Sequence, residues 1–122
     1  MLTNQQMFDR VSVHLLKQDK AARVKDNCAY RGENNLTCAI GSLIPDKVYL
    51  PKFEGNTCGM LIEVWPRAMS RCGIGKRNLD LANRLQIVHD SYAPDEWPAE
   101  LRFVANEFNL STNAMNGVSK MT

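Results

Sequence analysis

Asn27-Cys28-Ala29-Tyr30-Arg31-Gly32-Glu33-Asn34-Asn35-Leu36-Thr37-Cys38-Ala39-Ile40 is the stretch on which the fold class turns. Two short segments of alternating character, 27–31 and 36–40, flank a cluster of Gly and Asn. That arrangement predicts a β-hairpin. A three-residue loop sets Cys28 opposite Cys38, and a four-residue loop shifts the register by one. Gly32 is expected to supply a positive φ at the turn, with Tyr30-Arg31-Gly32 as an exposed or half-exposed edge and Arg31 either projecting into a neighbouring cleft for a ligand or partner or pairing with a carboxylate at the rim of the core.

Helical patterns surround this segment. Thr3 followed by Gln6 is a capping box. It opens a helix over about 4–18 with Met7, Phe8, Val11, Leu15 and Leu16 as its apolar stripe and His14 at the border. Asn78 or Asp80 caps a second helix to about Ser91, with Leu79, Ala82, Leu85 and Val88 inward and Leu81 and Tyr92 widening the face. After Ala93-Pro94-Asp95-Glu96-Trp97-Pro98, a third helix carries Leu101, Val104, Ala105 and Phe108 to about Asn109. Residues 19–26 form a polar connection. The small-and-apolar run 39–44 reads as a short buried helix stopped by Pro45, with turn-rich segments after it. Residues 56–77 stay open, because Met60–Trp65 suits a strand or one and a half helical turns. The expected architecture is α+β: three main helices around a small hairpin in a single domain, 1–110, followed by a loosely ordered tail, 111–122.

The chain has 122 residues with 44% hydrophobic and 23% charged types, enough for a core without staples. No apolar run approaches the ~20 residues of a membrane span, so no membrane partner is expected. The first residues lack the basic and apolar regions of a signal peptide. Cys28, Cys38, Cys58 and Cys72 are therefore expected as reduced thiols in the cytoplasm, and the absence of a C-x-x-C pair argues against zinc.

Chemistry-bearing motifs are sparse. Gly73-Ile74-Gly75-Lys76 fails the phosphate-loop pattern, since Ser70 and Arg77 stand where Gly and Ser or Thr belong. His89-Asp90 is a tempting metal or acid–base pair, but adjacent helical residues point about 100° apart, and the chain's other histidine is His14. The bland reading is a histidine favoured by the helix C-terminus. No nucleophile–base arrangement emerges, so no enzyme, cofactor or metal is expected.

Charge is segregated along the chain. Between 67 and 84, Arg67, Arg71, Lys76, Arg77 and Arg84 stand against Asp80, a local +4. Between 90 and 107, Asp90, Asp95, Glu96, Glu100 and Glu107 stand against Arg102, a local −4. Either the acids fold back on the bases, or a basic surface is left for an anionic partner. The candidate binding residues are Tyr30, Arg31, Arg67, Arg71, Lys76 and Arg77.

The block Cys28-x-Tyr30-Arg31-Gly32, Leu36-x-Cys38-Ala39-x-Gly41-x-Leu43-Ile44-Pro45-Asp46, Tyr49, Glu54-Gly55 resembles a family of small bacteriophage, prophage and proteobacterial proteins. The likeness runs from His14-Leu15-Leu16 to Leu85-Gln86-x-x-His89-Asp90 and Trp97, about residues 3–110. Ser42 departs from the cysteine frequent at that position. The resemblance implies phage ancestry and no particular reaction. It favours a protein that binds and blocks or redirects a host protein, a counter-defence factor for example, in the host cytoplasm. A sponge for an anionic nucleotide, using Arg31, the basic stretch and Tyr30 or Trp65, is the alternative, and a weak nucleic-acid binder using 67–84 is the third.

Overall fold

Thr3 Oγ1 accepts the Gln6 amide at 3.1 Å while Gln6 Oε1 accepts the Thr3 amide at 2.9 Å, so the expected capping box starts α1 (Asn4–Gln18). In the computed structural model, which describes residues 1–25 and 27–120, α1 ends where Asp19 turns left-handed at φ 52°. Its buried stripe is Met7, Phe8, Val11, Ser12 and Leu15. Four further helices precede the last one: α2 (Cys58–Val64), α3 (Pro66–Arg71), α4 (Leu79–Ser91) and α5 (Trp97–Glu107). Helix α1 packs against α4 and α5, and α4 against α5 and α2. One core fills the space between them, with Phe8, Phe53, Leu85, Trp97 and Leu101 fully buried.

The α+β expectation is overturned: the described chain is essentially all-helical. No ladder joins 27–31 to 36–40. Asn27–Cys28 (β2) instead turns back on Arg23–Val24 (β1), pairing Arg23 with Cys28 and Val24 with Asn27. Beyond β2, side chains from distant elements satisfy the amides a hairpin would use. Glu54 Oε1 and Oε2 accept the Tyr30 and Arg31 amides at 2.9 and 3.1 Å, and Gln86 Oε1 accepts the Ile40 amide at 3.1 Å. A buried amide needs an acceptor, and a side-chain oxygen serves as well as a strand.

The turn also differs. Gly32 sits at φ −89°, and Asn34 and Asn35 supply the positive φ, at 60° and 63°. What Gly32 supplies is clearance, since a Cβ there would lie 2.6 Å from the Arg23 nitrogen. The following run gives a 3-10 turn, Gly41–Leu43, matching the expected short buried helix.

The open segment is helical. Thr57 Oγ1 accepts the Met60 amide at 3.2 Å and starts α2. Trp65, held out of the helical region at ψ 60° before Pro66, separates α2 from α3. Asn78 occupies the position before α4 without capping it through its side chain. That side chain is buried and donates to the Leu2 and Gly73 carbonyls, both at 2.9 Å.

The expected loose tail is also corrected. Residues Asn113–Lys120 form α6, which packs on α1. Met115 is fully buried, and Gln5 binds both the amide and the carbonyl of Ser111, at 2.9 and 3.0 Å. Met121 and Thr122, the end of that tail, and Asp26 of the 19–26 connection lie outside the described residues. No helix of the described residues is long and apolar enough to cross a membrane.

Candidate functional site

Asn83, Gln86, Ile87 and Asp90 are spaced i, i+3, i+4, i+7 and so share one face of α4. That face forms one wall of a cleft of ≈ 590 Å³. Cys28, Ala29 and Tyr30 supply another wall, and the start of α2 with Glu54-Gly55-Asn56 closes the third.

Asp90, on the α4 wall, is organised by His89 behind it. His89 is fully buried and stacks on Trp97 with ring centroids 5.7 Å apart. Its Nε2 accepts the Ala22 amide at 2.9 Å. An amide N–H only donates, so Nε2 carries the lone pair and Nδ1 the proton. Nδ1–H then donates to Asp90 Oδ1 at 2.7 Å, and Gln86 Nε2 donates to the same oxygen at 2.7 Å. Burial pushes the Asp90 carboxyl up, but hydrogen bonds from His89, Gln86 and Cys28 outweigh it and hold the group below the ordinary carboxylate value. The histidine expected to serve the helix dipole is thus a buried, oriented donor.

Cys28, His89 and Asp90 bring ligand atoms within 4.8 Å of one another, the geometry of a metal site. The donor set does not fit one. A metal on Nδ1 of a neutral imidazole leaves the proton on Nε2, facing the Ala22 N–H. Burial raises Cys28 and Cys72, pushes Cys58 up to about 11 and Cys38 up to about 12. All four are free, and protonated thiols are poor nucleophiles.

Tyr30 and Arg31 are tied into the fold. Tyr30 is buried, and its hydroxyl donates to the Asn56 carbonyl. The Arg31 guanidinium, with its side chain 20% exposed, donates to the carbonyls of Gly41 at 2.8 Å, Tyr30 at 3.3 Å and Ile44. It also pairs with Asp46 at 3.2 Å and lies 4.6 Å over the Tyr49 ring. Tyr30 is buried while Arg31 and Gly32 are half-buried, and Arg31 takes the carboxylate-pairing role and does not reach into a cleft. Glu54, which sequence reasoning did not single out, is the counterpart: besides the two amides it accepts the Tyr49 hydroxyl at 2.5 Å. Its only local signal was its place in the Glu54-Gly55 pair of the quoted block.

The basic stretch is placed differently. Arg67 and Arg71 are exposed on α3, which Pro66 opens as expected, and Lys76 and Arg77 are exposed in the 3-10 turn before α4. Among the described residues none of these four makes an ion pair. Arg84 is the exception in the stretch, bound by Glu107 at 2.5 Å. The acids proposed to neutralise the patch are used elsewhere or stand free: Asp90 holds His89, and Glu96 caps the Ala93 amide at 3.2 Å. Compared with known proteins, the chain matches no family model, no curated protein and no solved structure.

Proposed function

We propose that this chain is a binding protein without catalytic function, which engages an acidic partner protein through Arg67, Arg71, Lys76 and Arg77. The carrying observation is that all four cations are exposed and unpaired among the described residues. Met60 and Val64, exposed four apart on the adjoining α2, add apolar surface of the kind that interfaces combine with charge. The phage-like sequence block supports a host protein as that partner, met in the cytoplasm. The nucleotide-sponge reading loses Arg31 and Tyr30, which spend their polar atoms inside the fold, and would rest on the basic stretch and Trp65.

The test is a pull-down from bacterial lysate with the wild type and with R71E/K76E. The wild type retains a protein whose recovery falls with salt, and the double variant loses it while keeping its melting temperature. Equal recovery by both chains places the interface elsewhere. Retention of oligonucleotide with no protein favours the nucleic-acid reading.

A further inference from the structure

Two features set the cleft beside α4 apart from the basic face. Its wall carries the carboxylates of Asp90 and Glu54, and among the described residues no lysine or arginine lines it. Glu54 is consumed by two amides and a phenol. Asp90 is not, because both nitrogen donors that reach it converge on Oδ1. Among the described residues no nitrogen donor reaches its other oxygen, and the side chain is 37% exposed. Its remaining neighbour is the Cys28 thiol, a weak donor that a cation displaces.

The rest of the wall is soft and uncharged. Ile87 is exposed on the same helix face, three residues from Asp90. Cys28, Cys38 and Cys58 present protonated, polarisable sulfur. A volume of ≈ 590 Å³ falls within the usual range for small-molecule sites.

We infer that this cleft binds a small primary amine, its ammonium on the Asp90 carboxylate in place of the Cys28 thiol and its hydrocarbon along Ile87 and the thiols. The Nδ1–H tautomer of His89, imposed by the Ala22 amide, holds the carboxylate in place for that contact. An anionic ligand meets two carboxylates and no cation, so the same cleft rejects it.

The experiment is calorimetric titration of the full chain at neutral pH with hexylamine, hexan-1-ol and hexanoate. Hexylamine is expected to bind about tenfold or more tighter than the alcohol, and hexanoate more weakly than either. Asp90→Asn removes the preference of amine over alcohol. Because that change also disturbs His89, Ile87→Lys is the second variant. It sets a tethered ammonium one helical turn from Asp90 at an exposed position, and it should abolish hexylamine binding with the melting temperature unchanged. Equal affinity for the three probes overturns the inference, and so does hexylamine binding that survives in Ile87→Lys.

Discussion

The Glu54 carboxylate takes the place of a neighbouring strand for Tyr30, accepting its amide at 2.9 Å from 24 positions along the chain. The second carboxylate oxygen does the same for Arg31 and also takes the Tyr49 hydroxyl. A single side chain thus satisfies three donors that otherwise have no partner.

Glu54→Ala is accordingly expected to be costly. Hydrogen bonds to a charged acceptor contribute about 1.5–3 kcal/mol each, with losses that overlap, so destabilisation on the order of 3 kcal/mol is expected. Tyr49→Phe removes one of the three and should cost about 1 kcal/mol. Urea denaturation of both, and of the double variant, measures their coupling. Additive losses would show that Tyr49 and Glu54 act separately.

His14 gives the pH dependence its sign. Burial pushes its imidazole below the ordinary 6.5, against the opposing hydrogen bond to Thr37. A depressed folded value means that the unfolded chain binds the proton first. Stability is then full above the unfolded value and is lost as pH falls through the folded one. Denaturation midpoints should drop between about pH 7 and pH 5, and His14→Gln should flatten that slope. A slope unchanged by the substitution assigns the titration to another group.

Met115 reports on α6. It is fully buried, and methionine-to-alanine changes at such sites cost about 2–5 kcal/mol. The lower end is expected here, because a terminal helix can adjust. Met115→Ala should also expose the segment after Ser111 to limited proteolysis while α1, α4 and α5 stay protected. An unchanged midpoint and cleavage pattern would show that α6 contributes nothing to the core.

How legible these features were depends on how local their causes are. The capping box of α1 and the stripes of α4 and α5 lie within a few residues of the structure they produce, and their spacing predicts it. The 27–40 segment misleads because Glu54 and Gln86, which satisfy its backbone, lie up to 46 positions away. Nothing in its own alternation reveals them. Arg31 was legible as special, and pairing with a carboxylate was one of its two expected roles; its bonds to three carbonyls were not legible. A guanidinium that spends itself on carbonyls inside the fold looks, in sequence, the same as one held out for a ligand. The exposure of Arg67, Arg71, Lys76 and Arg77 was readable because no apolar stripe claims those positions. The pairing of Arg84 with Glu107 depends on how α4 lies against α5 and could not be read from either helix alone.

The Arg31 guanidinium joins Tyr30, Gly41, Ile44 and Asp46, segments that no ladder connects. A sheet edge can fray one rung at a time, and each lost rung leaves the others intact. A hub has no rungs. Freeing the carbonyls of Tyr30, Gly41 or Ile44 strips the charge of its acceptors, so the segments from Tyr30 to Ile44 are expected to open together and not one by one.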